Sequence, residues 1–305
     1  MNSMLKIFVC MFAAPVMASI LLNLIYRKPP ADHGKGSMFD LIATRYDFVN
    51  RALALNLDIG WRKAMIAEVT SHGKLFDSTG TNGITSSVKV LDLATGTADV
   101  AILFAKEYLN TNVEASKRDL TILGVDPSIN MISVGREKIK KENLVDQITL
   151  DLGDARNLEE LDESSFDAAT MSFGIRNVPE KETALCEIHR VLKKEVKNEK
   201  NDIKGARFGI LEFSEPLKDS GIMGAGARIF IRHVVPILGA LLSGAPREYM
   251  HLQNSIKEFP SPKEFAALME GLNCGVDGRG SFRVDNLIQM NFGSVQLYLA
   301  TPIYN

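Results

Sequence analysis

The chain predicts a doubly wound α/β fold with a mostly parallel sheet, on three observations. Between residues 88 and 213, short apolar runs alternate with segments whose apolar residues recur every three or four positions, the pattern of strands that cross over through helices. The first run, VLDLATGTADV at 90–100, enters a tight turn at Gly96 and leaves as a helix. Finally, 305 residues with 46% hydrophobic and 24% charged content suffice for one large domain with a sizeable core and an accessory lid.

The amino-terminal stretch MNSMLKIFVCMFAAPVMASILLNLIYRK carries no acid, and Ile7 to Tyr26 is uncharged between Lys6 and Arg27-Lys28. Such a run of about twenty residues is just long enough to span a bilayer. It also fits a signal peptide, with Ala18 as a cleavage edge after Val16-Met17, and it lacks the Arg-rich amphipathic pattern of most mitochondrial presequences. Residues 1–36 are therefore expected to be a leader or anchor plus a KPPADHGKGS linker, and 37–305 the folded domain.

From Met38 the period is helical, with Phe39, Ile42, Tyr46, Val49 and Leu53 on one face, and a second helix is expected around Trp61 to Val69. The polar, glycine-rich 71–87 reads as a loop. Strand VKVLDLA, helix Val100–Tyr108, strand LTILGVD, helix Ile129–Lys140 and strand QITLDLGD follow. Strand FDAATMSF, helix Lys181–Leu192 and strand ARFGILEF complete the alternation, with 193–204 predicted as a charged surface loop. The apolar, glycine-rich stretch 221–256 reads as a lid or an apolar ligand channel. Its core, Ile229 to Leu242, is too short to span a membrane and is interrupted by Arg232, His233 and Pro236. Ser261, Pro262 and Glu264 form the start of a capped helix, and VDNLIQMNFGSVQLYLAT is expected to close the chain as antiparallel strands.

A net charge of −2 gives no reason to expect a nucleic-acid partner. Cys10, Cys186 and Cys274 are too far apart for a zinc knuckle or a CxxC pair, and the last two read as buried structural thiols. His33, His72, His189, His233 and His251 form no HExxH-like cluster, so no metal is expected.

The Gly96 turn is neither a GxxxxGK[ST] phosphate loop nor a GxGxxG dinucleotide fingerprint. Asp92 precedes it, Asp126 ends the second strand and Asp154 ends the third, so three consecutive strands deliver a carboxylate to one sheet edge. Each acid alone would serve as a helix cap. Together they suit ribose hydroxyls and a cationic sulfonium better than a pyrophosphate, favouring S-adenosylmethionine (SAM) over a nicotinamide cofactor.

Five segments then become specific: MFDLIATRYDFVNRALAL, VLDLATGTADVAI, SFDAATMSFGIRNVPEKETALCEIHRVLK, ILEFSEP and YMHLQNSIKEFPSPKEFAALME. Spread across 38–305, they resemble the ubiquinone/menaquinone biosynthesis C-methyltransferases. The resemblance implies a Rossmann-like class I methyltransferase with a seven-stranded sheet, which transfers a methyl group from SAM to a ring carbon of a prenylated quinol. It places SAM contacts at Thr97, Asp126, Asp154, Ala155 and Ser172, with Gly96 and Asp92 in the same pocket. Three features depart from the family pattern: Thr95 where Cys or Gly is usual, Ala98 where Gly is usual, and the charged 193–204 in place of a tight PGG turn.

A ring carbon is a poor nucleophile until a conjugated hydroxyl loses its proton, so the acceptor site must favour phenolate and align the carbon with the methyl–sulfur bond. Arg176 suits stabilisation of developing phenolate charge, Asn177 orientation of the quinol oxygen, and Tyr46 donation or proton relay. A loop anchor bonding backbone carbonyls is the alternative for Arg176 and Asn177, and a core aromatic that for Tyr46. Asp47 reads as a base or a cap, His189 as structural, and Arg232 with His233 as contacts for the substrate head. The resemblance also implies a membrane surface, other quinone-biosynthesis enzymes and a homodimer as partners. It favours the mitochondrial inner membrane, matrix face, while the signal-like leader keeps a plastid route open. A SAM methyltransferase for another prenylated or lipid acceptor, and a non-catalytic SAM-binding scaffold, are the competing readings.

Overall fold

In a β-strand successive side chains point to opposite faces, and the first strand, β1 (Val88–Leu93), divides its residues accordingly. Val90 enters one core cluster and Leu91 the other. The computed structural model describes residue 17 and residues 34–71, 75, 87–111, 120–194, 196–197, 203–216 and 221–304. The amino-terminal leader, Cys10 and most of the 71–87 loop lie outside the described residues.

The short helix α1 (Ser37–Asp40) leads into α2 (Ala43–Leu53) and α3 (Leu57–Ser71). The alternation then runs β1, α4 (Asp99–Thr111), β2 (Leu120–Asp126), α5 (Ile129–Lys141), β3 (Ile148–Leu152), β4 (Ala168–Ser172), α6 (Lys181–Val191) and β5 (Arg207–Phe213). A helical insertion follows: α7 (Gly221–Ile229), a π-helical segment Phe230–Val234, α8 (Val235–Ser243) and α9 (Pro246–Glu258). Helix α10 (Pro262–Glu270) and strands β6 (Gly280–Met290) and β7 (Val295–Tyr304) complete the chain.

The seven strands lie in the order β3-β2-β1-β4-β5-β7-β6. The first five are parallel, and β7 runs antiparallel to both β5 and β6. Strand order reverses between β1 and β4, and a doubly wound sheet opens its ligand crevice at that point, beyond the carboxyl ends of the strands. Helices α4 and α5 cover one face with Phe104, Tyr108 and Ile132, while α6 and α10 cover the other with Ile188, Phe265 and Met269. Ser128 caps α5 by accepting a hydrogen bond from Met131 N, and Ser261 N donates to Glu264 Oε2 at 2.9 Å in the expected capping box of α10.

Three expectations change. Cys186 and Cys274 are not separate thiols: they form a disulfide across 88 residues, because α6 and the turn after α10 pack side by side and bring their Cα atoms to 5.0 Å. Within 193–204, Val196–Lys197 pairs with Ile203–Lys204 as a short antiparallel ladder rather than remaining wholly a loop. The lid helix is not limited to Ile229–Leu242. Gly221–Ser243 forms one helix of 23 residues, by length and composition long and apolar enough to cross a membrane. Pro236 lacks the N–H of an ordinary helical bond, and it sits in the first turn of α8, directly after the π-helical segment that contains Arg232 and His233.

Candidate active site

Strand β1 delivers the chain into a turn of three left-handed residues, Ala94 (φ 50), Gly96 (φ 56) and Ala98 (φ 65). A Cβ at Gly96 would meet nothing, so the turn requires glycine for its backbone angle and leaves open space beside it. Ala94 and Ala98 hold the same conformation with a Cβ, at a cost of about 1 kcal/mol each. Ala98, one of the family departures, is fully buried there.

Buried hydrogen bonds secure this turn from beneath. Asp92 accepts from Thr95 Oγ1 at 2.6 Å and from Thr170 Oγ1 at 2.7 Å, and burial pushes its carboxyl up to about 6 against the lowering effect of those bonds. Thr95, another departure, thus supplies an anchor that neither glycine nor alanine has. On the outer side, Thr97 Oγ1 donates to Asp47 Oδ1 at 2.6 Å, and Lys138 Nζ joins Asp47, Thr97 and Asp99. Neither Asp92 nor Thr97 lines the cavity above the turn. Asp47, a candidate base, is an ion-pair partner of Lys138 instead.

Gly96, Asp126, Asp154, Ala155 and Ser172 do share that cavity. Asp126 Oδ2 accepts from Gly96 N at 2.8 Å and Oδ1 from Ser128 N at 2.9 Å, so one carboxylate ties the first turn to the second. Burial raises this acid to about 6, the backbone bonds pulling it down only partly. Asp154 is held by Arg156 N and its guanidinium. The buried Ser172 Oγ has no partner among the described residues.

The cavity roof was missed at the sequence level. Gly36, assigned to the linker, lies so close to the β2 turn that a Cβ would stand 2.6 Å from Ser128 N, and its φ is 76°. Asp40 Oδ1 accepts from Ser128 Oγ at 2.6 Å and from Asn130 N at 3.0 Å. The strap 34–40 is thereby fastened over the cavity, and the boundary drawn at 36/37 falls inside it.

A second cavity of about 540 Å³ opens between α2–α3 and the helical insertion. Its walls are apolar, including Ile42, Trp61, Phe213 and Ile231. Phe39, Tyr46, Phe173 and Asn177 line both cavities and so mark their junction. Arg176 Nη1 donates to Glu212 Oε1 and to Phe173 O, each at 2.6 Å, with Glu212 fully buried. Arg176 therefore anchors the loop as well as facing the cavity. Burial raises the Tyr46 phenol, outweighing the nearby Arg176 and Arg62, which keeps it a donor at neutral pH. His251 Nε2 lies 3.2 Å from Asn177 Oδ1, and Asp58, held by Arg51 and Arg62, lines the same space. Of these, His251, Asp58, Arg51 and Arg62 were not singled out as acceptor-site residues; the hint was their presence in the family-like segments or beside Trp61. Exposed Arg232 pairs with half-buried Glu215 and, like His233, does not line the cavity. His189 packs on Phe282 with Nε2 at Ile303 O, a structural position.

Comparison with known proteins decides what this arrangement is. Residues 31–277 match the family described as the ubiE/COQ5 methyltransferase family. The chain belongs to that family. It is a SAM-dependent methyltransferase. A demethylmenaquinone methyltransferase of Deinococcus radiodurans is 36% identical over 76% of this chain and 81% of its own length. A ubiquinone/menaquinone biosynthesis C-methyltransferase UbiE of Geotalea uraniireducens is 33% identical over 77% and 85%. A demethylmenaquinone methyltransferase of Bacteroides fragilis is 33% identical over 90% and 96%. Among solved structures, a SAM dependent methyltransferase from Aquifex aeolicus covers 79% of the methyltransferase described here at 16% identity and a TM-score of 0.45.

Proposed function

We propose that this methyltransferase adds a methyl group to a ring carbon of a prenylated benzoquinol or naphthoquinol in quinone biosynthesis. One observation carries the reading: a large apolar cavity meets the cofactor cavity at a few polar groups, so a ring with an apolar tail has its reactive end beside the donor. SAM supplies an electrophilic methyl on a sulfonium. Asp126 suits its ribose diol, since each carboxylate oxygen accepts one backbone N–H and retains a second lone pair. Ser172 Oγ, buried without a partner, offers a polar contact in the same cavity, and Asp154 with Ala155 forms the wall contributed by the third strand. At the junction Asn177 orients the quinol oxygen and Tyr46 donates to it, while Arg176 offers N–H donors whose charge Glu212 balances.

A membrane-resident tail is supported by the cavity rim, where Leu55 is 74% and Ile222 90% exposed. Leu55 and Phe292 stand in left-handed loop tips that project apolar side chains outward. The mitochondrial inner membrane follows from the family resemblance. The signal-like run of residues 7–26 keeps the plastid alternative open. Homodimerisation and assembly with other quinone-biosynthesis enzymes rest on the resemblance alone. The decisive experiment incubates the purified full chain with SAM and short-tailed prenylated benzoquinol or naphthoquinol, and locates the new methyl by NMR. Ring-carbon methylation is expected. SAM binding without methylation of either quinol, alongside methylation of another lipid, would overturn the assignment.

A further inference from the structure

Methylation of the ring needs a proton acceptor, and the groups lining the acceptor cavity narrow the choice. Among the described residues the titratable side chains lining it are Tyr46, Asp58, Arg62, Arg176, Glu248 and His251. Arginine stays protonated at any accessible pH. Asp58 pairs with Arg51 and Arg62 through Oδ2, Oδ1 having no partner among the described residues, and a carboxylate is a far weaker base than a phenolate. Tyr46 is itself a phenol, and burial holds its proton more tightly than usual. Glu248 is a carboxylate, far weaker as a base than a phenolate of pKa ~10 demands. It also lies one turn before His251 on α9 rather than at the junction. An imidazole is the side chain best matched to take a phenol proton near neutral pH.

We propose that His251 is the catalytic base for the quinol hydroxyl, with Asn177 holding the oxygen for it. The inference rests on the quinol reading above. Helix α9 packs on the Ile175–Asn177 turn, which sets His251 Nε2 3.2 Å from Asn177 Oδ1 at the edge shared by both cavities. A hydroxyl entering between them donates its O–H to Nε2, in the tautomer protonated at Nδ1, and accepts from the Asn177 amide turned to present Nδ2. The O–H bond breaks and its proton passes to the imidazole, leaving the electron pair on oxygen and, by conjugation, on the ring carbon. That carbon forms the new bond to the methyl as the methyl–sulfur bond breaks, its pair remaining on a neutral thioether sulfur. The methylated carbon then loses its hydrogen as a proton to water, restoring the aromatic ring and the phenolate. The imidazolium returns its proton to that oxygen, so each turnover releases one proton to solvent.

The charged side chains that share the cavity with the imidazole among the described residues are Asp58 and Arg62 from α3, Arg176 from the β4 turn and Glu248 from α9. The base form is lost on acidification, so kcat/KM should fall with an acid limb in the imidazole range.

The test compares wild type with His251→Gln, using a short-tailed prenylated benzoquinol and its ring-fluorinated analogue, whose hydroxyl is more acidic and needs less help from a base. SAM affinity and Tm are measured on the same samples. The expected result is a loss of at least ~100-fold in kcat/KM with the parent quinol, a much smaller loss with the fluorinated one, disappearance of the acid limb, and unchanged SAM affinity. An equal loss with both acceptors, or no loss, overturns the role. Should the variant fail to fold, histidine-selective NMR of the wild type decides: quinol binding must shift the His251 titration, and an unmoved titration overturns the proposal. Wild type that methylates neither quinol refutes the acceptor assignment instead, which keeps the two failures distinct.

Discussion

Asp126 links SAM binding to pH in a way that can be worked through. Burial raises its carboxyl to about 6 in the ligand-free protein, while its two oxygens hold the Gly96 and Ser128 amides. A ribose diol donates two hydroxyls to the ionised form and stabilises it, so binding favours loss of the proton. Above pH 6 the carboxylate is already present and affinity should be flat. One unit below, about nine-tenths of an acid with that pKa is protonated, and affinity should fall about tenfold per further pH unit. Asp92 is raised to the same region, chiefly by its own burial. Asp92, however, is turned to Thr95 and Thr170 and not to the cavity, so Asp92→Asn should leave the slope in place. Asp126→Asn should abolish it and weaken binding about 10- to 150-fold at pH 7.5, the loss of charge-assisted hydrogen bonds worth ~1.5–3 kcal/mol. For stability the sign is opposite to that of an ordinary paired carboxylate. Both acids are raised, so their contribution is present below the unfolded value near 4 and is lost as pH rises through 6. Calorimetric titration of SAM from pH 8 to 5 is the assay. A flat affinity over that range in wild type, or an unchanged affinity in folded Asp126→Asn, would refute the ribose role.

Other outcomes follow from the same geometry. Glu212→Gln leaves the Arg176 guanidinium buried without its counter-ion and should cost about 3–5 kcal/mol, read as a fall in melting temperature; a change below about 1 kcal/mol would show that Arg176 is already solvated. Arg176→Lys keeps charge but loses the planar fork, so turnover should drop with near-normal SAM affinity, and unchanged turnover would make Arg176 an anchor only. Reduction of Cys186–Cys274, or Cys186→Ser, should cost about 2–4 kcal/mol, and non-reducing peptide mapping that finds free thiols would refute the pairing. Leu55→Glu with Ile222→Glu should weaken liposome binding and activity on long-tailed quinol while sparing short-tailed quinol; equal activity on both would remove the rim from membrane docking.

The sheet was legible because β1, β2 and β5 are buried on both faces and read as nearly continuous apolar runs. Asp126 and Asp154 were legible as cavity-lining residues because one ends β2 and the other follows β3 by two residues, both beyond the carboxyl edge of the parallel strands. The placements of Asp92 and Thr97 were not: Asp92, within β1, turns to the hydroxyls of Thr95 and Thr170, and Thr97, between left-handed Gly96 and Ala98, turns outward to Asp47, pairings that residue spacing does not encode. The length of the lid helix was hidden by Gly221, Gly224 and Gly226, poor helix formers whose conformation is set by the surrounding structure. Long-range pairings, Cys186 with Cys274 and Glu212 with Arg176, leave no local pattern at all.

The charges that sequence could not pair explain how an apolar ring can be ionised here. Arg176 is matched by Glu212, and Arg62 shares Asp58 with Arg51, so the cavity presents dipoles and N–H donors around an almost neutral interior. A neutral quinol then enters without meeting an uncompensated charge, which would bind phenolate from water but hold it too tightly and repel the cationic donor. The phenolate is instead formed in place, beside donors already oriented by their partners, and no reorganisation is needed as its charge moves onto carbon. On this view the pairing partners Glu212 and Asp58 matter to turnover as much as the arginines do. Removing either acid should raise affinity for an anionic quinol analogue while lowering kcat for the neutral substrate.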